Sequence, residues 1–127
     1  MGNNTLYKGE NMLQHRNELK SETRERPRDG TGTATFIHLA EGKGAVQKYT
    51  SLLAEITLPP GASIGPHSHS EDMEYYIILE GSGKVDDNGT EKAIAKGDVM
   101  VTGNGETHSI ANTGNVPLVF LAAIIKE

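Results

Sequence analysis

The chain has no cysteine and no tryptophan. Without cysteine it can build neither a disulfide framework nor a thiolate metal site. No apolar run approaches the ~20 residues that a membrane-spanning helix requires. The opening residues, MGNNTLYKGENML, lack the apolar stretch of a signal region, so a soluble cytoplasmic protein is expected. Positive charge is also scarce: 12 Lys and Arg stand against 17 Asp and Glu, for a formal net charge of −5. That balance removes nucleic acid as a default partner, and no basic face stands out in the folded part. After residue 33 no segment of useful length has a helical period. A largely helical domain is thereby excluded.

What the chain does have is glycine, 15 residues of it, placed between short apolar runs. At 127 residues it is one domain, long enough for a core that buries roughly two thirds of its unfolded surface. Thr35–Leu39 reads as a strand. Residues 45–58 read as another, with Leu52, Ala54, Ile56 and Leu58 sharing one face, until Pro59-Pro60-Gly61 stops it. Tyr75–Leu79 is β-branched and aromatic. Lys84–Asp86 and Lys92–Ala95 flank Asn88-Gly89, a strong hairpin signal because both turn residues need positive φ. Val99–Val101 and Thr107–Ala111 are short strands. Val116–Ile125 is apolar on both faces and is expected to lie between the core and either a second subunit or an N-terminal arm. Eight to ten short strands with turns at close spacing predict an all-β sandwich or barrel.

Residues 1–33 are different in kind. They are polar and charged, with Arg24, Arg26 and Arg28 gathered around Pro27. They are read as an N-terminal arm that lies across the domain's own sheet or a neighbouring subunit, with residues 34–127 forming the barrel domain.

The candidate site lies in Gly61–Gly81, GASIGPHSHSEDMEYYIILEG. Residues i and i+2 of a strand share a face, so His67 and His69 project two imidazoles side by side. The polar step Ser70-Glu71-Asp72 turns the chain, and Glu74 can return to the same spot from the next strand. Two neutral imidazoles and a carboxylate suit a divalent metal. Glu71 and Asp72 are read as solvated turn residues, and His15 and His38 as structural histidines. Strand parity turns Tyr76 and Ile78 inward together with Glu74.

This stretch resembles the first motif of the cupin superfamily: Gly61, five residues, His67-x-His69, a short gap, Glu74, six residues, Gly81. Gly97–Asn112 is similar to the second motif through Gly97, Gly105, His108 and Asn112, with Gly103 where the family usually has proline. The spacer between them, 15 residues from Ser82 to Lys96, looks like that of compact single-domain microbial members. The resemblance covers about residues 34–125. It implies a double-stranded β-helix, or jelly-roll, barrel in which His67, His69, Glu74 and His108 hold one divalent transition metal such as Mn, Fe, Ni or Zn. It further implies a small metalloenzyme acting on an oxygen-rich organic molecule (a hydroxy- or keto-acid, a sugar derivative or a polyketide), with the metal as Lewis acid or O₂ site. Dioxygenase, isomerase, decarboxylase and cyclase chemistry all occur in the family. Tyr76 is the candidate catalytic side chain. The alternative is a non-catalytic small-molecule-binding or accessory protein. A homodimer is expected, with no membrane or nucleic-acid partner.

Overall fold

The computed structural model describes residues 13–39 and 48–126. Among these residues there are ten strands and no α-helix, only two short 3₁₀ turns at Arg16–Glu18 and Pro27–Asp29. The strands are β1 (Ser21–Glu25), β2 (Thr33–His38), β3 (Thr50–Leu58), β4 (Ser63–His69) and β5 (Asp72–Glu80), followed by β6 (Ser82–Asp87), β7 (Thr90–Ala95), β8 (Val99–Thr102), β9 (Glu106–Ala111) and β10 (Leu118–Lys126). They form a six-stranded sheet in the order β1-β2-β3-β10-β5-β8 and a four-stranded sheet in the order β4-β9-β6-β7. All pairings are antiparallel. This is a jelly-roll barrel, as the sequence predicted. Positions 45–47 of the second predicted strand lie outside the described residues.

The period-2 pattern becomes the core directly. Ala54, Ile56 and Leu58 of β3, Ile78 of β5 and Leu118, Phe120 and Ala122 of β10 are buried between the sheets. Each large side chain removed from water contributes about 1.5–3 kcal/mol. The Asn88-Gly89 hairpin forms as expected, with φ of 50° and 98°, between paired Asp87 and Thr90. Asn112 is buried and clamps the end of the barrel: its Nδ2 donates to the carbonyls of Leu58 and Val116, both at 2.8 Å.

Two expectations become more specific. β10 is not buried equally on both sides: it is the central strand of the larger sheet, where Leu118, Phe120 and Ala122 are buried and Val119, Leu121 and Ala123 only partly so. Val116 is outside the strand and exposed. The segment before residue 33, expected to lie across the domain's own sheet or a neighbouring subunit, contributes a strand to that sheet. Ser21–Glu25 pairs in register with β2, from Ser21↔Ile37 to Glu25↔Thr33, and extends the molecule's own sheet. A pattern search misses this strand because it is polar throughout; its stability comes from edge pairing rather than from an apolar face.

The chain then turns sharply at Pro27–Asp29 and meets β4. Arg26, Arg28 and Asp29 all have positive φ, at 45°, 54° and 61°. Left-handed geometry at three non-glycine residues costs about 1 kcal/mol or more at each. Close approach of two backbones offsets it. A Cβ on Gly65 would stand 2.0 Å from the Arg28 carbonyl oxygen, and one on Gly30 would stand 2.2 Å from that of Ser63. Only glycine fits either place.

Candidate metal centre

β4 carries two of the predicted site residues, and its register explains their direction. Ile64 faces Ile110 of β9, and His67 faces His108, so three steps on β4 match two on β9. One extra residue is a β-bulge, which reverses the parity between Ile64 and His67. Ile64, His67 and His69 can therefore all face inward. The His67↔His108 pairing places the second-motif histidine directly across from the first. Glu74 comes from β5 in the opposite sheet. One ligand atom from each of His67, His69, Glu74 and His108 lies within 4.8 Å of the others. All four sequence-predicted ligand residues are thus brought to one place between the sheets.

The nitrogens at the centre are Nε2 in each case. His108 Nε2 lies 3.0 Å from His67 Nε2 and 3.2 Å from His69 Nε2. Glu74 Oε1 is 2.9 Å from the Nε2 atoms of both His69 and His108, and 3.6 Å from that of His67. Close as it is, Glu74 Oε1 is fully buried and accepts no hydrogen bond of acceptable geometry. The contact is electrostatic, at distances of 2.9 to 3.6 Å.

The other ring nitrogens are all engaged. His67 Nδ1 donates to the Gly65 carbonyl at 2.8 Å, and His69 Nδ1 donates to Asp72 Oδ1 at 2.7 Å. His108 Nδ1 lies 2.8 Å from Thr102 Oγ1. A carbonyl and a carboxylate can only accept, so both rings on β4 carry a proton on Nδ1, and the neutral form of each ring presents its Nε2 lone pair inward. This is the arrangement of imidazoles prepared to ligate a cation. Asp72 is therefore not the solvated turn residue expected from the sequence. It sits three residues after His69, where the turn into β5 folds it back onto the ring. Glu71 is exposed, as expected. Thr102 is beyond sequence reasoning: it lies opposite Glu74 in the β5–β8 pairing and reaches across to the other sheet.

Burial and neighbouring charge set the protonation states. Burial opposes ionisation of Glu74, but the adjoining His108 and His67 rings, when they carry a second proton, outweigh it and hold the carboxyl at about 2. His108 is held below the usual histidine value, chiefly by burial, and so favours its neutral, ligating form. Tyr76 is buried, stacks on the His108 ring at 4.7 Å and meets Phe120 edge-on at 4.8 Å. Burial, then the Glu74 charge, push its phenol well above the ordinary value.

The buried unpartnered oxygen, the inward lone pairs and the N/O donor set all fit a borderline divalent transition ion. The cluster forms part of the lining of a cavity of about 260 Å³, with His67, His69, Glu74 and Tyr76 on its walls. Arg24 and Arg28, from β1 and the turn after it, line the same cavity. His38 takes no part: its Nε2 lies 2.6 Å from Glu22 Oε1 and its ring stacks on Phe36. His15 is exposed, away from the cluster; its backbone N–H donates to Glu18 Oε1 at 2.7 Å and its carbonyl accepts from the Glu18 N–H at 2.9 Å.

Two antiparallel sheets closing on three histidines and a glutamate define a jelly-roll barrel protein with a metal-type donor cluster inside it. The chain belongs to the cupin family, whose cupin domain model matches residues 54–124. It is 42% identical to an oxalate-binding protein of Thermotoga maritima over 94% of this chain and 98% of the relative. Among solved structures it resembles a predicted oxalate decarboxylase from Thermotoga maritima, with TM-score 0.85 and 42% identity over 91% of this chain and 100% of that one. It also shares the fold of the polyketide cyclase RemF from Streptomyces resistomycificus, with TM-score 0.72 and 24% identity over 93% of this chain and 81% of that one. Among the described residues no helix is long and apolar enough to cross a membrane.

Proposed function

We propose that the protein binds a small oxygen-rich carboxylic acid at a divalent transition metal, Mn, Fe, Ni or Zn, held by His67, His69, Glu74 and His108. The observation that carries this reading is the meeting of three Nε2 atoms and one carboxylate oxygen within 4.8 Å. The relative named for oxalate binding supports a small acid as the ligand. When bound, the ion supplies Lewis acidity toward a carboxylate or enol oxygen, or redox chemistry toward O₂. The protein's own groups supply the rest. Phe36, Leu52, Ile56, Ile64 and Ile124 wall the cavity and limit water. At about 260 Å³ it lies below the ~300–1,000 Å³ of drug-sized pockets, which matches a compact ligand.

Capture is favoured over turnover by the poverty of proton-transfer groups. Tyr76, kept as a neutral phenol, is a donor and not a base at neutral pH. The second reading, a metalloenzyme of decarboxylase, isomerase, dioxygenase or cyclase type, is favoured by that same phenol, which lines the cavity beside Glu74. Metal analysis of protein purified without chelators tests the common ground: about one ion per chain is expected, and near zero in His67→Ala. Absence of stoichiometric metal, before and after adding Mn, Fe, Ni or Zn, removes both readings. Turnover of oxalate or another small acid that disappears in His67→Ala selects the enzyme.

A homodimer is part of this proposal. The outer face of the six-stranded sheet carries exposed Met73, Leu79, Val99, Val101 and Ile125. A second copy of the chain covering that face through a two-fold axis would remove them from water.

A further inference from the structure

The cavity receives two positive charges from outside the matched domain, and both come from the segment that precedes the barrel. Arg24 and Arg28 line it, and among its lining residues Glu74 is the only carboxylate. In a chain of net charge −5 this is a local reversal. The two arginines are not equivalent. Arg24 lies 4.1 Å over the Phe36 ring and is paired with Glu22 at 3.0 Å. Among the described residues no carboxylate forms an ion pair with Arg28. Its charge is nevertheless felt inside the site, where it opposes the rise of the Tyr76 pKa.

The position of Arg28 is built, not incidental. Its own backbone is left-handed, at φ 54° and ψ 38°, between Arg26 and Asp29 that are also left-handed. Pro27 is buried. The turn is tied to β4 by Thr31, whose N–H donates to Ser63 Oγ at 2.9 Å and whose hydroxyl donates to the Gly61 carbonyl at 2.8 Å. The Ser63 N–H donates back to the Thr31 carbonyl at 2.8 Å. Gly65, where a Cβ would strike the Arg28 carbonyl oxygen at 2.0 Å, also supplies the carbonyl that orients His67. One residue of β4 therefore fixes both the arginine turn and a cluster histidine. A free surface arginine has no need of this strained, glycine-fitted mount.

We infer that Arg28, backed by Arg24, is a specificity-determining residue that takes one carboxylate of a small dianionic acid while the other carboxylate faces the His–Glu cluster. The inference rests on the metal-centred reading and narrows its ligand to dicarboxylates. A guanidinium matches a carboxylate through paired N–H donors, which an ammonium cannot copy. A monocarboxylate has no second group for it.

The test is calorimetric titration of wild type, Arg28→Gln and Arg28→Lys with oxalate, malonate and succinate, and with acetate and glycolate as monoacids. Metal content and melting temperature of each variant are measured in parallel. Arg28 is exposed, so both variants are expected to fold and to hold metal as the wild type does. Arg28→Gln is expected to weaken the best-bound dicarboxylate by about 10- to 100-fold, the usual worth of a hydrogen bond to a charged group. Arg28→Lys should recover only part of this, and the monoacids should change by less than about threefold. Unchanged dicarboxylate affinity in Arg28→Gln overturns the inference, as does an equal loss for monoacids or no binding of any dicarboxylate to the metal-loaded wild type. A wild type that holds no metal but binds a dicarboxylate through Arg28 removes the metal-centred reading and leaves the arginine assignment standing.

Discussion

At the scale of single residues, the inward direction of each imidazole is decided by what its other nitrogen touches. Asp72 is the informative case. Its carboxylate fixes the His69 tautomer, and its loss should free the ring to rotate or to carry its proton on Nε2. Asp72→Ala is therefore expected to lower affinity for Zn or Mn by roughly 10- to 100-fold, as removal of such orienting partners usually does. Competition titration against a chromogenic chelator measures it. Asp72→Asn keeps an accepting oxygen and should fall in between. Affinity in Asp72→Ala equal to wild type would show that the β-strand alone orients His69. Parity along β5 made Glu74, Tyr76 and Ile78 legible as one buried row. Asp72 was misread as part of the turn; it is the first residue of β5 and shares the parity of Glu74, which brings its carboxylate to the same face.

At the scale of elements, β1 is the strand that local pattern could not supply. It holds by pairing with β2 and by a cluster in which Glu22 serves both Arg24 and His38. Arg24, then His38, hold the Glu22 carboxyl at about 2, below its ordinary 4.5. A depressed carboxyl stabilises the fold fully above its unfolded pKa and loses that contribution as pH falls through the folded one. Wild type should thus melt above Glu22→Gln at pH 7, with the gap narrowing as pH falls from 4.5 to about 2. The cluster is solvent-exposed, so the gap should be small and should shrink further in high salt. A gap that stays constant with pH would assign the difference to side-chain shape rather than charge. The bulge in β4 belongs to this scale as well. Gly65-Pro66 in a strand is a visible irregularity in the sequence, since proline removes a ladder donor. Which way it turns the histidines follows only from the partner strand, because register is a property of two strands together.

At the scale of the whole molecule, the two sheets differ in what they leave exposed. The larger one presents an outer face with Val99 at 59% and Val101 at 45% exposure beside Met73, Leu79 and Ile125, more apolar surface than an edge-to-edge sheet in water favours. A dimer through that face predicts twice the chain mass by light scattering at micromolar concentration, and Val101→Lys should shift it toward monomer. Monomeric wild-type protein under those conditions would remove the dimer from the proposal.

By itself the sequence determined the all-β class, the facing of the core strands and the four residues of the cluster. Those depend on side-chain alternation and on motif spacing, and both are written locally along the chain. The tertiary structure decided that Asp72 and Thr102 orient two of the histidines, that β1 completes the sheet, and that Arg24 and Arg28 open onto the cavity. Each of these joins residues from elements whose proximity no local pattern encodes. They meet only when the bulged β4 pairs with β9, the second sheet closes over them, and the turn at Pro27–Asp29 seats itself against two glycines.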